Sequence, residues 1–352
     1  MKIIHAIFSF NIGGAETMLV DIINQQCKDA SVSLIIVNNK TNLKLLDTID
    51  KRVNIHLINR KENNKFQLLL ASHKINQIVR KINPHIIHCH DNKLFPFFIM
   101  QRKKTVLTVH SINLSCRFLK YYRQIFAISQ SVKKNIKKRA NVDAQLVYNG
   151  IVTEEYQQRT DFSNEELFKI VQISRLDPEI KGQHIAIQAV AYLKEKYPEM
   201  NFTLFFVGDG ESKDKLKDLA VENEIDDRIV FIGQKSRSWV KEHLQDFDVL
   251  IQPSLFEGFG LAIVEGLAAG LPVIVSDLNG PKEILDFLNV GLTFETGNSN
   301  DLAEKIHQIH DEYISGNILN TNYLIQDKKQ LEAFDINATV SHYSDFYKTI
   351  IC

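Results

Sequence analysis

Cysteine is scarce in this chain. Its four cysteines, Cys27, Cys89, Cys116 and Cys352, form no CxxC pair and keep no regular spacing. That speaks against a disulfide framework and against a zinc site, and fits a reducing compartment. Long apolar runs are missing too. The longest, Leu94 to Met100, falls far short of the ~20 residues a membrane-spanning helix needs. Met1 to His5 enters a strand-like run directly, without the apolar stretch and small-residue cleavage site of a signal peptide. A cytoplasmic placement is therefore expected. With only 7 Pro and 15 Gly in 352 residues, collagen-like and low-complexity chains are excluded. The 44% hydrophobic content excludes wholesale disorder. No repeat of 20–50 residues is visible, so a solenoid or propeller is not expected.

Acidic residues are scarce in the first half. Residues 1–150 hold 24 Lys+Arg against 8 Asp+Glu, a net +16; residues 151–352 hold 18 against 34, a net −16. The zero total hides two units with different surroundings, as the length also suggests. The basic unit is suited to an anionic partner, or the two halves attract each other.

What is present is a rhythm of short apolar strands and amphipathic helices. Lys2–Phe10, Val32–Asn38, Val53–Ile58, His85–Cys89, Thr105–Val109, Ile125–Ser129 and Ala144–Tyr148 read as strands of the first half. Lys169–Ser174, Thr203–Val207, Ile229–Ile232, Val249–Gln252 and Pro272–Ser276 read as strands of the second. Helical patterns at Ala15–Gln26, Leu68–Ile82, Gln183–Lys196, Lys213–Glu224, Trp239–Leu244, Leu261–Ala269 and Leu302–Asp311 alternate with them. This is the signature of parallel sheets built from βαβ crossovers and covered on both faces. A border falls after Tyr148-Asn149-Gly150-Ile151, where the acidic stretch Thr153–Glu166 begins. The tail from Asp335 to Cys352 carries Tyr343, Phe346, Tyr347 and Ile350 at helical spacing.

Three features carry chemistry. Gly13-Gly14 stands between a strand and a helix, where bare N–H groups and the positive helix end suit a phosphate, or where the chain merely turns. Arg175 and Lys181-Gly182 follow a strand and precede a helix. They belong to the carboxyl edge of a parallel sheet, where doubly wound proteins bind ligands. Two cations there suit a diphosphate, or are solvated surface charges. Glu257-Gly258-Phe259-Gly260-Leu261 and Glu265 form the third. A glycine-rich loop after a buried strand opens a helix, with one carboxylate in the loop and one a turn inside the helix. A carboxylate accepts two hydrogen bonds side by side, which matches vicinal hydroxyls.

On these residues the chain resembles a retaining glycosyltransferase of the GT-B fold, in glycosyltransferase family 4. The resemblance covers nearly the full length. It rests on Gly13-Gly14-Ala15-Glu16, Thr108-Val109-His110, Ser129, Asn149-Gly150, Arg175 to Lys181-Gly182, Val207-Gly208-Asp209-Gly210 and above all the Glu-x7-Glu pair Glu257/Glu265. It implies two Rossmann-like doubly wound domains facing across a cleft: an acceptor-binding domain over 1–150, a nucleotide-sugar-binding domain over 151–334, and a helix over 335–352 packing back on the first. In the same terms, Arg175 and Lys181 neutralise the departing diphosphate, Glu257 holds the donor sugar from its 3- and 4-hydroxyl side, and Glu265 binds the ribose. His110 contacts the transferred sugar near the anomeric centre. Gly13 and Gly14 close over the phosphates. The loop residues Gly258, Phe259, Gly260 and Leu261 contribute to donor binding, the N–H groups of Phe259 and Gly260 included, and the Gly233-Gln234 turn meets the base. One departure stands out: Asn279-Gly280-Pro281 where relatives often carry paired glycines.

The family works without a bound metal, and no DxD-type pair occupies a comparable position, so no metal and no cofactor are expected. No carboxylate nucleophile is evident either. Same-face attack is the expected course, with the leaving phosphate helping to deprotonate the acceptor hydroxyl. A UDP-sugar is the favoured donor and a GDP-sugar the next, with a glycan or lipid-linked glycan as acceptor in surface polysaccharide assembly. An epimerase or phosphorylase on the same scaffold, or a binding protein without turnover, are the alternatives. His85 to Asp91 looks like a metal cluster, with His88 and His90 on one strand face, yet no partner ligands accompany it. Basic segments at Arg102–Lys104, Arg117–Arg123 and Lys133–Arg139, interleaved with Phe118, Tyr121 and Tyr122, lead to an expected reversible contact with anionic membrane, or are a solvated basic face. Nucleic acid is not expected, because no binding motif accompanies the charge.

Overall fold

Apolar runs rich in Ile, Val and Leu set the strands, since branched side chains suit a pleated surface buried on both faces. The computed structural model describes residues 1–11, 13–61, 65–112, 115–162 and 167–351. Ile12 of the first turn, residues 163–166 of the acidic stretch and Cys352 lie outside them. The chain divides into two compact units: Met1–Ile151 together with Ala333–Cys352, and Val152–Glu332.

The first unit contains β1 (Lys2–Ile7), β2 (Ser31–Asn38), β3 (Asn54–Arg60), β4 (Ile86–Cys89), β5 (Thr105–Val109), β6 (Gln124–Ala127) and β7 (Gln145–Leu146). They form one parallel sheet in the order β3-β2-β1-β4-β5-β6-β7. The second contains β8 (Phe168–Ile173), β9 (Phe202–Val207), β10 (Ile229–Gly233), β11 (Val249–Gln252), β12 (Val273–Ser276) and β13 (Leu292–Phe294). Its sheet is also parallel, ordered β10-β9-β8-β11-β12-β13. Both are Rossmann-like: strand order reverses between β1 and β4 in one, and between β8 and β11 in the other. At such a reversal successive crossovers leave to opposite faces and a crevice opens at the strand ends.

Three parts of this architecture differ from the sequence reading. Leu292–Phe294 is a strand too short to register as a run, and Asn279–Leu288 is a helix in spite of Pro281, which sits in its first turn. The apolar run near Leu94 winds into 3-10 turns from Asn92 to Lys104, with Pro96 inside and Phe95, Phe97 and Phe98 buried.

The helix Ile336–Ile351 belongs to the first unit. Ile151 N–H donates to Phe334 O at 3.0 Å and Ile336 N–H to Ile151 O at 2.8 Å, so the returning segment is stitched to the end of the first pass. Its Tyr343 and Tyr347 are wholly buried. The Tyr347 hydroxyl lies 2.5 Å from His88 Nδ1, and Thr108 Oγ1 lies 2.7 Å from His88 Nε2 and 2.9 Å from the Tyr343 hydroxyl. The helix is therefore keyed to β4 and β5 by polar contacts in a dry interior. Tyr347→Phe leaves His88 Nδ1 buried without a partner, which should cost the unit about 1–3 kcal/mol. A denaturant midpoint equal to that of the unchanged protein would show the contact to be idle.

Candidate functional site

In the second unit the chemistry gathers at the sheet's reversal. β8 runs into Ser174-Arg175, and Lys181 is the last residue of the short helix Pro178–Lys181, not a loop residue as its neighbours suggest. β11 runs into Pro253-Ser254 and the loop that holds Glu257. Backbone bonds join the two segments: Leu255 N–H and Phe256 N–H both donate to Ile180 O, at 2.9 and 3.2 Å. Gly182 makes the approach possible. Its φ is +67°, and a Cβ there would stand 1.8 Å from the Pro253 carbonyl oxygen, so only glycine fits.

Across this junction Lys181 Nζ donates to Glu257 Oε2 at 2.5 Å. The two side chains are 22% and 15% exposed, open enough for a ligand to reach and closed enough for their charge to act with little screening. Gln172 Nε2 donates to Lys181 O at 2.7 Å and fixes the lysine's backbone from below. Arg175 is not brought to this pair. Its guanidinium donates to Asp177 at 2.8 Å and is 67% exposed, so the two cations read as one diphosphate clamp have different partners.

Glu265 lies one turn inside the helix Leu261–Ala268, as its spacing from Glu257 implies. Its Oε1 accepts from the buried Tyr156 hydroxyl at 2.8 Å. Burial first, and the Glu265 charge next, hold the Tyr156 phenol well above its usual pKa, so Tyr156 stays a donor. Sequence reasoning missed Tyr156, which stands 109 residues from its partner with no motif around it. Phe259 is 2% exposed; its ring belongs to the core and only its backbone can serve a ligand. Gly258 lies in the loop and Gly260 caps the helix that Leu261 opens. Gly280, in the departing Asn279-Gly280-Pro281, packs tightly here: a Cβ would come within 2.8 Å of Glu257 O and 2.9 Å of Gly258 O. The first turn of that helix thus braces the glutamate loop. Gly233 ends β10, and its carbonyl accepts from Gly208 N–H at 3.0 Å, so the two adjoining strand ends are tied.

In the first unit Gly14 opens the helix Gly14–Gln26, with Gly13 as an extended cap. The Glu16 carboxylate folds back against Gly13, where a Cβ would meet its Oε2 at 2.6 Å. Burial raises the Glu16 pKa, and the space read as a phosphate seat has a carboxylate beside it. His110 follows β5 and joins His5 on β1, His88 on β4 and His90 just beyond it. His5 and His88 are register partners on neighbouring strands. Three of the four, His5, His88 and His90, lie within reach of one shared ion. Their six ring nitrogens are already engaged, with Gln26, Tyr347, Thr108, His110 and one another. The cluster is a hydrogen-bonded array.

Comparison with known proteins bears on both units. The family model for glycosyl transferases group 1 matches residues 153–323, and that for glycosyltransferase family 4 matches residues 12–155. An uncharacterized glycosyltransferase of Methanocaldococcus jannaschii is 32% identical over 187 residues, covering 53% of this chain and 49% of that protein. The chain thus spans about half the length of this relative. The N-acetyl-alpha-D-glucosaminyl L-malate synthase of Bacillus anthracis is 26% identical over 315 residues, 81% of this chain and 80% of that one. Among solved structures, Anabaena HepE in complex with UDP and glucose superposes with a TM-score of 0.81 at 21% identity, over 99% of this chain and 100% of that one. Sucrose-phosphate synthase from Thermosynechococcus elongatus gives 0.82 at 16% identity, over 99% and 98%.

Proposed function

This chain belongs to glycosyltransferase family 4 and has the two Rossmann-like units of the GT-B fold, and on that premise we propose that it transfers a hexose-type sugar from a nucleotide-sugar to a hydroxyl of a glycan or lipid-linked glycan. The observation that carries the reading is the Lys181–Glu257 pair at the reversal of the second sheet. Breaking an anomeric C–O bond builds negative charge on the diphosphate and positive charge on the sugar. A cation meets the first and a carboxylate holds hydroxyls next to the second, with both positioned before reaction. A bound diphosphate competes with Glu257 for Lys181 and releases the carboxylate for vicinal hydroxyls. Glu265 and Tyr156 then hold the ribose, and Arg175 turns from Asp177 to the phosphates. Retention follows if the leaving phosphate takes the proton of the acceptor hydroxyl on the same face, with no metal called on. UDP-sugars come first because HepE, of the same fold, was solved with UDP-glucose.

A thermal-shift screen over UDP-, GDP- and ADP-sugars tests the reading. A true donor at 100 times its dissociation constant adds about 2.7 kcal/mol, a rise of several degrees; no rise with any of them counts against it.

A lipid-linked acceptor and surface polysaccharide assembly fit the surface of the first unit. Ile99 and Met100 are exposed next to Arg102, Lys103 and Lys104, and Leu68, Leu69 and Leu70 are exposed on the helix Lys65–Ile82. Apolar side chains beside cations suit an anionic leaflet, at ~1 kcal/mol for each basic residue near the surface. No described helix is long and apolar enough to cross a membrane. Co-sedimentation with phosphatidylglycerol vesicles is expected at low salt and lost at high salt. Absence of binding at low salt removes the membrane from the proposal.

A further inference from the structure

The segment from Ser174 to Gly182 carries both Arg175 and Lys181, and two buried glutamines close over its ends crosswise. Gln172, on β8 just before the segment, reaches its far end: Nε2 donates to Lys181 O at 2.7 Å. Gln183, which opens the helix Gln183–Lys196 just after the segment, reaches back to its near end: Nε2 donates to Arg175 O at 2.8 Å. The same two nitrogens meet at Ser174 Oγ, at 3.3 and 2.8 Å. An NH2 group has two hydrogens, so each glutamine can serve its carbonyl and the serine together.

Both amide orientations are fixed by the backbone. A carbonyl oxygen only accepts, so an amide turned the other way would set oxygen against oxygen at 2.7 and 2.8 Å. The amide oxygens are buried too and meet no hydrogen-bond partner among the described residues, so both side chains act on the segment as donors only. Gln172 is 1% exposed and Gln183 wholly buried. Burying an amide is costly, and a methionine would fill either place without that cost. What the amide adds is location: it sets where the Arg175 and Lys181 backbones stand.

We propose that Gln172 and Gln183 are positioning residues: joined at Ser174, they clasp the segment so that Arg175 and Lys181 can meet one diphosphate by turning side chains alone. The inference rests on reading the Lys181–Glu257 pair as part of a nucleotide-sugar site. In the ligand-free protein the guanidinium is on Asp177 and the ammonium on Glu257, so both must swing on binding. A backbone set beforehand keeps that swing short and leaves no reorganisation to the moment of reaction. Neither glutamine touches the donor in this role; each acts through a cation that does.

The first test needs neither a variant nor a donor. In the ¹⁵N spectrum of the full chain, the side-chain NH2 protons of Gln172 and Gln183 are expected to exchange slowly with water. Fast exchange at either overturns the clasp. Gln172→Met and Gln183→Met keep the volume and remove the donor. Each is expected to lower kcat for sugar transfer about 10- to 100-fold, the scale of a misplaced catalytic group, with the acceptor KM unchanged. The double variant should be no slower than the slower single one, because breaking either side opens the clasp. Residues that only fill space would add their losses instead, and additive losses overturn the proposal. Gln183→Glu keeps an O–H donor while its buried carboxyl is protonated, so its transfer relative to the unchanged protein should fall from pH 7 to pH 9. Full kcat in both methionine variants overturns the proposal as well. Slow NH2 exchange in a protein that transfers no sugar would leave the clasp standing and remove the nucleotide-sugar reading, so the two failures are told apart.

Discussion

Replacing Lys181 or Glu257 by alanine is expected to lower sugar transfer at least about 100-fold, the scale of losing one preorganised partner of transition-state charge at roughly 3 kcal/mol. The two residues stand at different stages of the same event. On the proposed reading Lys181 meets charge on the leaving diphosphate, so Lys181→Ala should depress turnover. On the same reading Glu257 grips the sugar, so Glu257→Ala should depress turnover and also weaken donor binding. In the ligand-free protein each is the other's partner at 2.5 Å, and removing one leaves a partly exposed charge that water can still reach. The stability cost should therefore stay small, with the melting temperature within a few degrees. An ion pair kept only for structure would reverse this pattern, with melting lowered and transfer kept. Full activity in either variant would defeat the assignment. Arg175→Ala is expected to lower transfer as well, since the proposed reading turns its guanidinium from Asp177 to the phosphates.

Acid should unfold the first unit long before the second. His5 and His110 are pushed by burial from an ordinary 6.5 down to about 4, and His88 and His90 also lie well below 6.5. The unfolded chain takes up protons as pH falls through about 6.5, while the folded rings refuse them until about 4. Across that window the unfolded state binds more protons, so stability is complete above 6.5 and declines as pH drops. Each pH unit costs up to about 1.4 kcal/mol per histidine. Two such rings between pH 6.5 and 5 account for several kcal/mol, a large share of what a domain has to lose. Amide exchange separates the units: β1, β4 and β5 should lose protection at pH 5 relative to pH 7, while β8 and β11 change little. Equal protection at both pH values would mean that the histidine array is already charged in the folded protein.

Much of this architecture was legible in the chain because parallel strands buried on both faces are plain apolar runs. Thr105–Val109 and Val249–Gln252 needed nothing else. What escaped depended on partners far away in sequence. Leu292–Phe294 is a strand only because β12 is there to pair with it. Within the site, the Glu257/Glu265 spacing announced itself, since both lie on one loop and helix. The pairing of Lys181 with Glu257 spans 76 residues and exists because β8 and β11 are neighbours where the sheet reverses. Tyr156 and Gln172 carry no local signal at all, being ordinary residue types whose meaning comes from what they touch. His88 and His90 were legible as a pair on one strand face, but their bonds to Tyr347 and Thr108 and to His5 and His110 could not be foreseen.

The first unit is interrupted: its chain departs after Ile151 and resumes at Ala333. Order of synthesis and order of folding must then diverge. When the ribosome has delivered Glu332, every residue of the second unit exists, whereas the first still lacks the tyrosines that complete the surroundings of His88. A nascent chain stalled at that point should hold a settled C-terminal half and an unfinished N-terminal one, the reverse of the usual vectorial sequence.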